Sequence, residues 1–368
     1  MKKFIRASTV LIFFITLLPA LSPYPAEAAY HFSNFKGSPP IHILGGPKKT
    51  PGGMSPEKIK NAYHLPLSGG SGTIVIVGAY DDATIESDLA AFSSAFNLPE
   101  CTSKNGCFEK HVMSSKIKSD AGWNMETSLD VEWAHAIAPN AKILLVEAST
   151  PSGINLVKAV DYAANRKDAT AITMSWGGGE FPEEVSLDSH FESVSGAPFF
   201  ASSGDNGTGA SWPASSPKVI GVGGTHVELA KNGTVQETAW AGSGGGVSAY
   251  EKQPAFQKDF SIPKAGGMRA IPDVSYDADP ASGFPVYRKG AWHIVGGTSA
   301  GAPQWAAIAA LGSGVSLQKL YEDKASAKAN DYFRDITSGT NGDCVYFCTA
   351  HKKYDYVTGL GSPLTAIF

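Results

Sequence analysis

Beyond its first thirty residues the sequence contains no apolar run approaching the ~20 residues needed to cross a bilayer, which excludes a helical membrane protein. Clustered Lys and Arg are also missing, and the formal net charge is -4. A phosphate-binding face needs such clusters, so nucleic acid is not an expected partner. Neither an internal repeat nor a low-complexity linker interrupts the chain, which removes solenoid and fibrous architectures. Only 17% of the 368 residues are charged, whereas 43% are hydrophobic and 40 are glycine. That balance is enough for a large core, and the glycines fit an enzyme whose tight turns and close backbone approaches build a site.

The one apolar run, Val10 to Leu18, follows Lys2, Lys3 and Arg6 and precedes Ala26-Glu27-Ala28. This is the pattern of a secretory signal peptide over residues 1–29, so a secreted, extracellular protein is expected, with a monomer as its state. The four cysteines form two close pairs, Cys101/Cys107 and Cys344/Cys348. In an exported chain these read as local disulfides, with zinc the rival reading. Residues 30–54 are a Pro, Gly and Lys-rich lead-in, followed by a helical candidate at Pro56 to Tyr63 and one domain over residues 55–368.

From Thr73 onward, apolar runs of strand length alternate with amphipathic stretches, which predicts an α/β fold: a mostly parallel sheet flanked by helices. The runs are Thr73 to Ala79, Lys142 to Glu147, Ala171 to Ser175, Ala197 to Ala201 and Val219 to Gly223. Helical candidates fall at Ile85 to Phe96, Met125 to Ala138, Ile154 to Asn165, Glu183 to Val194 and Ala300 to Leu311. A hairpin is expected around Asn232-Gly233.

Two stretches carry candidate chemistry. Gly296-Gly297-Thr298-Ser299-Ala300-Gly301-Ala302-Pro303 puts a serine between small residues at the start of an apolar helix, where free N–H groups and the dipole favour developing negative charge. Read alone, Ser299 is an N-cap in a glycine-rich turn. The same residues satisfy G-x-S-x-G, so an α/β-hydrolase esterase is a second reading, but there the acid and histidine follow the serine. Only His351 does so here, in a polar stretch. The second is Glu126-Thr127-Ser128-Leu129-Asp130, followed by Trp133, Ile137 and Ala138-Pro139. Helical spacing puts Glu126, Asp130, Trp133 and Ile137 on one face, with Glu132 elsewhere. Two buried acids at i,i+4 share one proton, and one of them is raised toward the range of a general base. In isolation the pair is a solvated acidic face.

Together these stretches resemble the sedolisins, the serine-carboxyl peptidases of subtilisin-like fold. The acid pair, Ser202-Ser203-Gly204-Asp205-Asn206-Gly207 and Gly-Gly-Thr-Ser-Ala-Gly-Ala-Pro occur in that family's order. The resemblance implies an endopeptidase acting through an acyl-enzyme at acidic pH on peptide or unfolded protein. In it Ser299 is the nucleophile, Glu126 the base, Asp130 its partner and Asp205 the protonated oxyanion donor. The subtilisin-like Gly224-Thr225-His226-Val227 comes after the oxyanion segment, so His226 is expected to be structural. Cleft walls are expected from Trp176, Gly177 and Gly178, from Gly244, Gly245 and Gly246, and from Pro272-Asp273-Val274-Ser275. The resemblance also implies one Ca²⁺, held by the side chains of Asp335 and Asp355 and the carbonyls of Ile336, His351 and Lys353. The chain departs from the family where His351-Lys352-Lys353 replaces Gly-x-Gly, and where the stretch between Ala28 and Thr73 is shorter than the family's folded prosegment. A catalytically idle binding protein on the same scaffold is the remaining alternative.

Overall fold

Strand β1, Thr73–Ala79, is buried at all seven positions, as a β-branched run must be when both faces of a parallel sheet are covered. The computed structural model containing it describes residues 32, 34–312 and 314–365; the expected signal peptide lies outside them. The other sheet strands are β2 (Phe108–Val112), β3 (Lys142–Ala148), β4 (Ala169–Met174), β5 (Phe199–Ser202), β6 (Val219–Leu229), β7 (Val235–Ala239) and β8 (Val274–Asp277). Their order is β7-β6-β5-β4-β1-β3-β2, with β8 beside β6. All pairings are parallel except the β6–β7 hairpin.

Alternation along β1 divides the interior into two layers. Ile74 and Ile76 join one core with Leu129, Trp133, Trp305 and Ile308. Val75 and Val77 join the other with Leu156 and Val160. Helices α2 (Ala121–Ile137) and α4 (Thr298–Leu311) therefore cover one face and α3 (Gly153–Ala164) the other, while α1 (Ile85–Ala95) packs beside α2 through Phe92 and Trp133. This is the expected three-layer arrangement.

Differences arise where burial is partial. Strand β2 was not expected; it pairs only with β3 and has a mixed pattern of exposure, so its sequence carries no apolar run. The expected helix at Glu183–Val194 is a 3-10 helix over Glu184–Phe191. Strands Phe284–Arg288 and Ala291–Gly296 form an antiparallel hairpin outside the main sheet. Both cysteine pairs are disulfides, Cys101–Cys107 and Cys344–Cys348, which leaves no thiolate for zinc. Among the described residues no helix is long and apolar enough to cross a membrane.

The lead-in is tied to the body by main-chain bonds. Ser38 exchanges N–H···O bonds of 3.0 and 3.1 Å with Gly177. His42 and Ile43 pair antiparallel with Gly296 and Val295, immediately before the serine segment.

Candidate active site

Helix α2 starts where the Asp120 carboxylate accepts from the amides of Gly122 and Trp123 at 3.0 and 3.1 Å, satisfying two otherwise unpaired donors. From Trp123 to Ile137 every residue is buried. Glu132 leaves the Glu126/Asp130 face as expected, but it enters the interior, where its carboxylate accepts from the Tyr287 amide at 3.0 Å. Glu126 and Asp130 are each 2% exposed. Burial drives the Glu126 carboxyl well above its ordinary range; the nearby Asp130 charge adds to this and the Ser299 hydroxyl opposes it. Burial also pushes Asp130 up to about 7, against the pull of its bond from Ser175. The Ser175 hydroxyl donates to Asp130 at 2.6 Å. Neither Glu126 oxygen nor the Ser299 hydroxyl has closed a hydrogen bond among the described residues. The acid and the serine face each other with their hydrogen-bonding capacity uncommitted.

Ser299 lies in the first turn of α4, behind Gly297. A side chain at Gly297 is excluded because its φ is +123° and an added Cβ would lie 2.2 Å from the Pro40 carbonyl and 2.5 Å from Asp205 Oδ2. Pro303 sits inside the same helix. It lacks the N–H that would bond the carbonyl four residues earlier, that of Ser299. The Ser175 hydroxyl oxygen lies 3.3 Å from this carbonyl, so one hydroxyl bridges the acid pair and the serine's own backbone.

Asp205 approaches from the loop after β5. Its Oδ1 accepts from the Thr298 amide and hydroxyl, both at 2.8 Å, and the Gly204 amide donates back to the Thr298 hydroxyl at 3.1 Å. Burial raises the Asp205 carboxyl. Its Oδ2 lies 3.1 Å from His42 Nε2, and this contact raises the imidazole's affinity for a proton. Helix α2, the start of α4 and the β5 loop thus bring Glu126, Asp130, Ser299 and Asp205 to one place.

A cleft of about 380 Å³ runs beside Asp205, walled by Gly177, Gly178 and Gly244 on one side and by Pro40 and His42 of the lead-in on the other. Trp176 does not line it. The indole is wholly buried and donates to the Val77 carbonyl at 2.9 Å, supporting the wall from inside. Gly245 and Gly246 also lie behind the wall, and a Cβ on Gly245 would stand 2.0 Å from the Tyr356 carbonyl. Asp273 belongs to the core rather than the cleft, bound at 2.6 Å to the buried Arg269. His226 is on β6, with Nδ1 3.1 Å from Asp279. His351, which an esterase would require, is stacked on Tyr346 at 4.6 Å. Sequence reasoning missed the role of Ser175, Thr298 and His42. The first two adjoin motifs, but His42 is brought in only by the lead-in's pairing with Gly296.

A sequence profile described as the Subtilase family, Peptidase_S8, matches residues 118–330. The chain belongs to the subtilase family, in its sedolisin branch. Kumamolisin of Bacillus sp. (strain MN-32) is 30% identical over 356 residues, covering 85% of this chain and 62% of its own length. Sedolisin of Pseudomonas sp. (strain 101) is 27% identical over 318 residues, covering 72% of this chain and 53% of its own. This subtilase therefore spans little more than half the length of those relatives. A solved structure of Pseudomonas sedolisin, a serine-carboxyl proteinase complexed with two molecules of pseudo-iodotyrostatin, superposes with a TM-score of 0.70 at 28% identity. That match covers 87% of this chain and 96% of the solved one. The fold is accordingly subtilisin-like.

The residues expected to hold calcium do come together in this subtilase, but the oxygens of the two carboxylates are already engaged. Asp355 accepts from the amides of His351, Val357 and Thr358 and from the Thr358 hydroxyl, at 2.8 to 3.1 Å. Asp335 accepts from the Lys353 amide through both oxygens at 3.0 Å and from Lys324 Nζ at 2.6 Å. Amide N–H groups of His351 and Lys353 thus point at the carboxylates, and a lysine stands on Asp335. As arranged, this donor set does not fit an oxygen shell for Ca²⁺.

Proposed function

We propose that this chain is a secreted serine-carboxyl endopeptidase that hydrolyses peptide or unfolded protein at acidic pH. The supporting observation is that a buried carboxyl group, Glu126, lies beside the buried hydroxyl of Ser299, close enough for that hydroxyl to act on its acidity. A carboxylate of ordinary acidity would be too weak a base. Burial and a neighbouring acid raise its basicity, so that it can accept the hydroxyl proton as the oxygen attacks.

In this reading Ser299 Oγ attacks the scissile carbonyl while Glu126 takes its proton. Asp130, anchored by Ser175, carries part of the shared charge and keeps Glu126 oriented. Negative charge then develops on the former carbonyl oxygen. Asp205 already uses Oδ1 to accept from Thr298, so a proton on Oδ2 makes it the donor to that oxyanion. Collapse returns the proton from Glu126 to the leaving amine, and water repeats the sequence to release the acyl group from Ser299. Asp205 must hold its proton while the acid pair gives one up, which favours an acidic working range.

Peptide as substrate is supported by the cleft itself. Ser38 of the lead-in pairs with Gly177 as an antiparallel strand, the main-chain mode by which an extended peptide is held. The test is cleavage of denatured protein between pH 3 and 8 by the wild type and by Ser299→Ala, Glu126→Gln, Asp130→Asn and Asp205→Asn. Loss of at least ~10³-fold in kcat for Ser299→Ala and Glu126→Gln is expected. Full activity in Glu126→Gln, or a profile governed by a group titrating as histidine, would overturn the assignment.

A further inference from the structure

One of the two carboxylates expected to ligate calcium, Asp335, meets a cation of a different kind. Lys324 is the penultimate residue of α5, Leu317–Ala325, and its side chain is only 5% exposed. Its ammonium lies 2.6 Å from Asp335 Oδ1 and 2.6 Å from the Leu360 carbonyl, with the Phe333 ring centroid 5.7 Å away. One carboxylate oxygen and one main-chain carbonyl are the hard donors that a calcium ion gathers. Here they converge on a charge that is covalently part of the chain.

We propose that the Lys324 ammonium is the resident cation of this C-terminal site, replacing a divalent metal and clasping α5 to the Asp335 and Leu360 segments. Three observations carry this. The ammonium donates to a carboxylate and a carbonyl from different segments, so it cross-links chain as a metal would. The remaining carboxylate capacity is taken by amides, which tie the His351–Thr358 turn to Asp355 and Lys353 to Asp335. Finally, an incoming Ca²⁺ would have to expel the ammonium from Asp335 and the Leu360 carbonyl, or accept a like charge within a few ångströms. Lysine is suited to the role because three donors on a flexible stem satisfy a compact oxygen site. The proposal does not rest on the peptidase reading.

The experiment uses the full chain carrying Ser299→Ala, so that self-cleavage cannot imitate unfolding. Thermal unfolding is followed in EGTA and in millimolar Ca²⁺, and Tb³⁺ luminescence reports metal binding directly. The lysine-bearing chain should unfold within about 1 °C under both conditions and show no saturable Tb³⁺ signal, because a site without affinity yields no linkage. Lys324→Met frees Asp335 Oδ1 and the Leu360 carbonyl. It should unfold at least ~5 °C lower in EGTA, recover with Ca²⁺ and gain saturable Tb³⁺ emission that Ca²⁺ displaces. Adding Asp335→Asn should abolish that gain, and Lys324→Arg should not acquire it. Chelator-induced destabilisation of the lysine-bearing chain by several degrees, saturable Tb³⁺ binding to it, or no Tb³⁺ gain in Lys324→Met each overturns the proposal. Should Lys324→Met fail to fold, the first two measurements decide alone.

Discussion

At the scale of single residues, Ser175 has two partners for one proton. It donates at 2.6 Å to Asp130 and sits 3.3 Å from the carbonyl of Ser299, which Pro303 leaves without a helical amide. Ser175→Ala removes the donor that stabilises ionised Asp130, so the apparent pKa of the acid pair should rise. The expected outcome is a shift of the acidic limb of the kcat/KM profile to higher pH and a 10- to 100-fold loss of kcat, on the order of 1.4 kcal/mol per decade. A merely structural serine would lower stability without moving that limb. His42 poses the reverse case. Its contact with Asp205 favours the ionised carboxylate, whereas an oxyanion donor must be protonated. In His42→Ala the Asp205 carboxyl should therefore titrate higher, as followed by ¹³C NMR of labelled aspartate.

At the scale of elements, α4 lies so close to the sheet that Gly301 cannot be enlarged. An added Cβ would stand 2.8 Å from Val222 Cγ1 and 2.9 Å from Tyr276 Cβ. Gly301→Ala should destabilise the fold by about 1–3 kcal/mol, measured by urea unfolding. The same closeness explains what the sequence made legible. Strands buried on both faces, such as Thr73–Ala79, leave an unbroken apolar run. Half-exposed Phe108–Val112 leaves none, and it is a strand only because Ile143 to Glu147 lie alongside it. The acid pair and Ser299 could be recognised because each is embedded in a contiguous motif. His42 could not, because its relation to Asp205 depends on the lead-in reaching Gly296, a contact between segments far apart in the chain. Trp176 and Gly245 stand outside the lining of the cleft beside Asp205, because adjacency to a cleft in sequence does not say which side of the wall a residue occupies. Lys324 escaped attention for the same reason: nothing local to α5 indicates that its end meets Asp335.

For the whole molecule, buried acids set the response to pH. Glu126, Asp130, Glu132 and Asp205 all have folded-state pKa values raised by burial, and Glu147 is raised to about 7. A carboxyl that holds its proton more tightly when folded contributes stability that is complete below its unfolded value of about 4 and is lost as pH rises through the folded value. His135 and His293 act in the opposite direction, since burial lowers their pKa values, but they are two groups against more. The Ser299→Ala chain should thus have a higher Tm at pH 5 than at pH 8, and Asp130→Asn should flatten the difference. A Tm that climbs steadily from pH 5 to pH 8 would contradict this balance.

The strand-like pairing of Ser38 with Gly177 gives the groove a permanent competitor. Because this occupant is tethered, diluting the protein does not lower its local concentration, typically millimolar for a short connection. In the proposed peptidase, an incoming peptide has to win a contest against the chain's own lead-in stretch. Turnover should consequently begin with a lag, or gain speed once the stretch before Gly45 is nicked, and mass spectrometry of the protein during that lag would reveal the cut.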